Sequence, residues 1–380
     1  MRVLVTIHSL RRGGAERVAI DLAHGLQACG HSILLAPLLT TNEYTQDVEG
    51  LEVTPLFSAA EYRWPSCVPV MARMLRQRSE KFRPDVIQIH TPTAAIVTAW
   101  AGVEVPVQHV IHGYGAITRP PSIKAFLVRQ ADRWACRRTN AKITVVAESM
   151  RQLTAKHFGN PKSEIDYVPN GVEVDKFAFV NRPPPLNPKI LVVGTLAAVK
   201  RPDLAIAAMP AMLMHFPDTQ LLIAGDGPLR ESLRSQIHLL GLAEKVHLLG
   251  RRDDIPALMT EANLLWHLSA SEGLPLAVAE AMATGLPVIG HDVRGVRDLI
   301  VDGESGLLIP YEDTDTLVHR SVEILSAPSL YSTISRQARQ RVVQLFSKQR
   351  MLAGHEAVLE RLVLGDRVRA SRGGAGITAK

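Results

Sequence analysis

Short apolar runs recur along the whole chain, separated by longer amphipathic stretches. Val3–Ile7, Ile33–Ala36, Val86–Ile89, Val107–Ile111 and Ile143–Val146 read as buried strands, as do Ile190–Val193, Leu221–Ala224, Val246–Leu249, Leu264–Trp266, Val288–Ile289 and Leu307–Ile309. Most of the intervening segments are long enough for a helix. Strand–helix alternation of this kind predicts an α/β chain with parallel sheets and helices on both faces. About eleven strands are too many for one ordinary sheet, so the pattern predicts two sheets in two domains, in keeping with a length of 380 residues.

The break between them is marked by Arg182-Pro183-Pro184-Pro185-Leu186-Asn187-Pro188. Proline neither continues a helix nor donates to a strand ladder, so this run reads as a stiff connector. The expected domains are residues 1–182 and 189–345. From Gly365 the chain is rich in Gly and Arg, and 365–380 is expected to fray. In open parallel sheets ligands bind outside the carboxyl ends of the strands. With two such domains facing each other, the cleft between them is the expected site.

Composition narrows the function. Apolar residues make up 46% and charged residues 21%, which are globular values and exclude wholesale disorder. Cys29, Cys67 and Cys136 form no C-x-x-C pair, so neither a disulfide framework nor a structural zinc site is expected. No apolar run is long enough to span a membrane, and the opening MRVLVTIHSL is too brief for a signal peptide. These features predict a cytoplasmic protein. Residues 1–180 hold 21 Lys+Arg against 16 Asp+Glu, and residues 181–380 hold 22 against 21. The first half therefore carries nearly all of the net +6. With no interleaving of basic and aromatic residues, nucleic acid is excluded as the expected partner. An anionic membrane surface or a phosphorylated substrate fits the asymmetry.

The most informative segment is Ser269–Gly285. Pro275 suits a helix start, and Gly285 with Pro287 suits its end. The body, Leu276 to Ala283, is apolar except at Glu280. A carboxylate inside such a helix is costly unless something binds it. Glu272 precedes the helix, beside free amides that favour anions. In Gly194–Arg201, which follows a strand, Lys200 and Arg201 offer two charges to a diphosphate. Gly13-Gly14 follows the first strand, where backbone amides can approach a ligand. His112, in His112-Gly113-Tyr114-Gly115, follows another and can donate to a sugar hydroxyl or a developing negative charge. Asp313-Thr314-Asp315 is a literal D-x-D, but it opens a predicted helix, Thr316–Leu325, where acidic residues act as caps. Residues 63–83 and 119–138 are basic. The second stretch sets Ile123, Phe126, Leu127, Ala131 and Trp134 at near-helical spacing, a pattern that lies on anionic lipid or packs on a sheet.

Several of these segments together resemble the retaining glycosyltransferases of family 4 (glycosyl transferases group 1). They are GGAERV, HGYG, ITVVAESM followed by VPNGVEVDKF, GTLAAVKRPDLAIAAM, IAGDGP, the Glu272–Glu280 segment and GESGLLIP, in matching order over roughly residues 1–365. The resemblance implies the GT-B fold, two Rossmann-like domains with parallel sheets facing a central cleft, and a helix over 346–364 that returns to the first domain. It implies a hexosyltransferase whose co-substrate is a nucleotide-diphosphate sugar, with no other cofactor and no metal. The expected setting is cell-surface polysaccharide or glycolipid synthesis, with a lipid-linked or soluble sugar acceptor and peripheral contact with the cytoplasmic face of the inner membrane. Carried over by position, Glu280 would bind the ribose. Glu272 would meet the donor sugar, aided by the backbone of Gly273, Leu274, Pro275 and Leu276. Lys200 would neutralise the leaving diphosphate, Gly14 would sit against that diphosphate and the acceptor, His112 would line the sugar and help the transition state, and Gly250 with Arg251 would hold the base. Thr195 stands where the family often has Arg, so half of the usual cationic clamp is missing unless Arg201 supplies it. A nucleotide-sugar 2-epimerase and a non-catalytic binding subunit are the alternative readings.

Overall fold

The structure, a computed structural model, describes residues 1–113, 123–183 and 185–374. All eleven sequence-predicted strands are present. They are β1 (Arg2–Ile7), β2 (Ser32–Pro37), β4 (Val86–Ile89), β5 (Val107–Ile111), β6 (Lys142–Val145), β8 (Lys189–Val193), β9 (Gln220–Ala224), β10 (Val246–Gly250), β11 (Leu264–His267), β12 (Val288–His291) and β13 (Leu307–Ile309). Two more, β3 (Glu52–Val53) and β7 (Asp166–Tyr167), are two-residue edge strands with no apolar run to announce them.

Every strand pairing is parallel. The first sheet runs β3-β2-β1-β4-β5-β6-β7 and the second β10-β9-β8-β11-β12-β13. In both, the order reverses beside the first strand of the sheet, between β1 and β4 and between β8 and β11. Such switch points open a crevice at the strands' carboxyl ends. Helices cover both faces. Val5, Ile7, Ile20 and Leu26 lie in one apolar cluster of the first unit, and Leu4, Ile87, Met71 and Val97 in another. The second unit's core gathers around Trp266, whose indole N–H donates to Ser321 Oγ at 3.0 Å.

The chain forms two compact units: Met1–Pro169 with the segment from Gln349 onward, and Asn170–Lys348. The passage into the second unit thus falls at Pro169–Asn170, ahead of the proline run. Residues 170–182 are fastened to that unit. The buried Arg182 guanidinium donates to the carbonyls of Met259 (2.8 Å), Ala262 and Thr284, and Arg339 donates to those of Val174 and Phe177. The last helix, Lys348–Gly374, packs on the first unit. His31 and Glu356 meet at 2.8 Å, Arg361 and Asp166 at 3.2 Å, and Val358, Leu359 and Val363 are buried. It continues past Gly365. Residues 375–380 of the expected frayed tail lie outside the described residues.

Candidate functional site

Two loops meet at the second sheet's switch point, one after β8 and one after β11, and they carry the residues that the sequence singled out. Glycine makes their close packing feasible. Gly194 N donates to Ala224 O at 3.0 Å and Gly225 N to Gly250 O at 2.8 Å. A Cβ on Gly225 would lie 1.9 Å from Gly194 O, and one on Gly227 would lie 2.6 Å from Leu196 O. Both are far inside contact distance. Three successive strand ends therefore lie backbone against backbone. Gly225 and Gly227 stand in the IAGDGP segment, to which sequence reasoning gave no role.

Lys200 closes a short 3-10 turn, Ala198–Lys200, and Glu272 lies in the loop after β11. Ala270 N donates to Val199 O at 2.8 Å and ties the two loops together. Glu272 Oε1 accepts from Lys200 Nζ at 2.5 Å and lies 3.0 Å from His267 Nε2. The Glu272 side chain is only 11% exposed. Burial alone would raise its pKa, but the hydrogen bond and charge of His267, joined by those of Lys200, override it. The carboxyl is lowered from the ordinary 4.5 to about 2. Glu272 is therefore an ionised acceptor held in place, not a cap: the following helix, Leu276–Ala283, has no side-chain cap. Gly295 fixes the same loop from behind, since a Cβ there would sit 1.8 Å from Gly273 O. Neither His267 nor Gly295 was picked out from sequence. His267 ends a buried strand, and Gly295 carries no motif.

A pH prediction follows from the depressed pKa. A carboxyl lowered on folding stabilises the protein fully above its unfolded value, near 4.5, and that contribution disappears as pH falls through about 2. Glu272→Gln is expected to flatten the dependence of unfolding free energy on pH between those values. Urea unfolding at several acid pH values measures it, and an unchanged slope would remove the ionised assignment.

Within Leu276–Ala283, Val278, Ala279, Ala281, Met282 and Ala283 are buried. Leu276, Ala277 and Glu280 are half-buried and share one stripe, so Glu280 lies on the helix's least covered side. Pro275 precedes the first turn as its N-cap, and Gly273, Leu274 and Pro275 are buried. Thr195 and Arg251 are exposed and Gly250 is half-buried, with a positive φ of 70°. Arg201 does not stand ready as the second diphosphate cation. Its backbone is left-handed (φ 50°), and its guanidinium is held by Asp203 at 3.0 Å, Glu312 and the Tyr311 hydroxyl at 3.0 Å. Two carboxylates already answer its single charge. Asp313 caps the helix Thr314–Ser326, accepting from Thr316 N at 2.9 Å and from the Thr316 hydroxyl at 2.7 Å.

In the first unit Gly14 opens the helix Gly14–Ala28 and is exposed. Gly13, its N-cap, exchanges hydrogen bonds with the Tyr44 hydroxyl. A cavity of about 620 Å³ at the carboxyl ends of β1, β4 and β5 is lined by His8, Glu16, Tyr62, Trp64, His90 and His112 among others. Tyr114 and Gly115 lie outside the described residues. His112 Nε2 sits 2.8 Å from His90 Nδ1, and His90 Nε2 sits 3.0 Å from Gln88 Oε1. An amide oxygen only accepts, so His90 carries its proton on Nε2 and leaves Nδ1 as a lone pair. His112 must then donate from Nε2. Burial, with His355 and His109 nearby, pushes the His112 pKa down to about 3, so the ring is neutral and its Nδ1 is a lone pair. That Nδ1 is buried and has no partner among the described residues. Among the described residues His112 thus offers a hydrogen-bond acceptor at Nδ1, where the sequence reading expected a donor.

The basic helix Ile123–Arg138 leaves apolar surface uncovered. Phe126 is 52% exposed, Leu127 59% and Trp134 42%, and the Trp134 ring lies 6.3 Å from that of Trp100. Arg119, from the same basic stretch, lies outside the described residues. Among the described residues no helix is long and apolar enough to cross a membrane.

Two family models match the chain, Glycosyltransferase Family 4 over residues 12–176 and Glycosyl transferases group 1 over residues 173–341. The phosphatidyl-myo-inositol mannosyltransferase of Mycobacterium leprae (strain TN) is 30% identical over 82% of this chain and 84% of its own length. The UDP-Gal:alpha-D-GlcNAc-diphosphoundecaprenol alpha-1,3-galactosyltransferase of Escherichia coli is 28% identical over 71% and 73%. Among solved structures, Anabaena HepE in complex with UDP and glucose aligns with a TM-score of 0.81 at 20% identity, covering 95% of this chain and all of that one. Each unit thus has its counterpart in the Rossmann-like domains of the GT-B fold.

Proposed function

Because this chain belongs to glycosyltransferase family 4, we propose that it moves a hexose from a nucleotide-diphosphate sugar to an acceptor hydroxyl with retention at the anomeric carbon. The observation that carries this reading is the Glu272 carboxylate, nearly buried yet ionised between His267 and Lys200. A sugar's 3- and 4-hydroxyls supply the donors such an acceptor needs. Glu280 takes the ribose hydroxyls. Gly250 and Arg251 hold the base, and exposed Thr195 borders the diphosphate.

In the reaction the bond from the anomeric carbon to the phosphate oxygen breaks, and the acceptor oxygen bonds to the same face. The acceptor proton passes to the departing phosphate oxygen. Lys200 and the uncapped amides of Leu276–Ala283 stabilise the charge that develops on the diphosphate, so that no divalent metal is required. His112, through its Nδ1, receives a hydrogen bond from a sugar hydroxyl. Uridine is the proposed base, supported by HepE with UDP and the UDP-Gal-dependent relative. The test incubates UDP-hexoses with a polyprenyl-diphosphate sugar and follows UDP release and the new linkage. An α-linked product supports the reading. Failure with every nucleotide sugar, or an inverted product, would overturn it.

A lipid-linked acceptor is proposed because two relatives are named for such acceptors. Peripheral docking on an anionic, cytoplasmic membrane face is proposed through Phe126, Leu127 and Trp134, with Arg129, Arg133 and Arg137 on the same helix. In flotation assays the protein is expected to rise with phosphatidylglycerol vesicles and not with phosphatidylcholine. Phe126→Glu with Leu127→Glu is expected to cut the bound fraction about tenfold. Equal flotation of both proteins would remove this surface.

A further inference from the structure

We infer that the first unit contains a zinc site built from His109, Asp132 and Cys136, with His157 packed behind the Asp132 carboxylate. His109 lies on β5. Asp132 and Cys136 stand one turn apart on one face of the helix Ile123–Arg138, and His157 is on the helix Arg151–Phe158. All four are buried. One ligand atom from each of His109, Asp132 and Cys136 lies within 4.8 Å of the others. His109 Nδ1 is 3.1 Å from Cys136 Sγ, and His157 Nε2 is 3.4 Å from Asp132 Oδ2. Donors sharing a tetrahedral zinc, at about 2.0–2.3 Å from the metal, stand roughly 3.3–3.6 Å apart.

Protein contacts alone leave the cluster unsatisfied. Asp132 Oδ1, His157 Nε2 and His109 Nε2 are buried without a hydrogen-bond partner among the described residues. The Asp132–His157 approach is within ion-pair distance but lacks hydrogen-bond geometry. Orphan polar atoms in an apolar interior are costly, and a cation between the side chains would answer the Asp132 carboxylate while the His109 Nδ1 and Cys136 Sγ beside it serve as further ligands. A thiolate, an imidazole and a carboxylate form a donor set for zinc, not for magnesium or calcium. The cavity that reaches His8 and Trp64 is also lined by His109 and Asp132, which gives the ion a route in. On binding, the Cys136 S–H bond breaks, a sulfur–zinc bond forms and the proton leaves to solvent. The other ligands bind through lone pairs, and nothing is oxidised. The ion would fasten a strand to a helix. The site shares the cavity with His112, and its test does not depend on the proposed sugar chemistry. The sequence expectation of no zinc site rested on the lack of a C-x-x-C pair, and it overlooks a site assembled from separate stretches of chain.

The test uses the full chain, stripped with chelator and titrated with Co²⁺. One cobalt per chain is expected, with a thiolate-to-cobalt charge-transfer band that Zn²⁺ abolishes, and Zn²⁺ is expected to raise Tm. Cys136→Ser should lose the band, Asp132→Asn should weaken cobalt binding at least tenfold, and Cys29→Ser should change neither. A folded wild-type chain that takes up no cobalt at micromolar concentration overturns the proposal without reference to any variant. A band that survives Cys136→Ser overturns it as well.

Discussion

Lys200→Ala is expected to lower kcat/KM for sugar transfer by about 100- to 1,000-fold, the range seen when one preorganised charge-stabilising group is removed. The loss should fall mainly on kcat, because the diphosphate gains its negative charge as the sugar departs. Lys200 is half-buried and forms part of a loop that glycine packing and the Ala270–Val199 bond already hold. The fold should therefore survive, and far-ultraviolet circular dichroism should be unchanged. Steady-state kinetics on the purified variant decide the matter. A loss below about fivefold would mean that the leaving group is neutralised elsewhere. Arg201 is a poor substitute, because Asp203 and Glu312 already occupy it.

Gly295→Ala is expected to damage both the fold and the site. The added carbon would overlap Gly273 O, so the loop that carries Glu272 must shift. Overpacking of this kind costs about 1–3 kcal/mol, and displacing a positioned carboxylate costs catalysis further. Tm should fall by several degrees and transfer by at least about tenfold. Gly14→Ala is the matched control for folding. Nothing lies within 4 Å of its added carbon, and alanine suits a helix start no worse than glycine, so Tm should hold or rise. Differential scanning calorimetry on the two variants separates them. Equal Tm values would show that the Gly295 contact is not restrictive.

Much of the fold was legible in sequence because parallel strands buried on both faces must be apolar throughout. That is why all eleven runs became strands, while Glu52–Val53 and Asp166–Tyr167, short and at the edges, gave no signal. The candidate site was legible where chemistry and chain position coincide. Glu272, Lys200 and Glu280 are charged residues beside or inside apolar helices just past strand ends. The rest depends on partners remote in sequence. The tautomer of His112 is set by Gln88 through His90. The charge of Arg201 is answered by Glu312, far along the chain. The unit boundary follows Arg182, which reaches back to three carbonyls of the second unit, whereas the proline run marks only stiffness. Patterns along the chain do not encode such pairings.

The most direct measurement is a thermal-shift titration of the whole chain with free UDP, repeated on Glu280→Ala. A ligand at a hundred times its Kd stabilises the folded state by about 2.7 kcal/mol, a rise readily resolved. The prediction is a saturable increase in Tm with UDP that uridine alone does not match, lost in Glu280→Ala while the unliganded Tm stays the same. No increase with any nucleoside diphosphate, or an equal increase in the variant, would contradict donor binding around that helix.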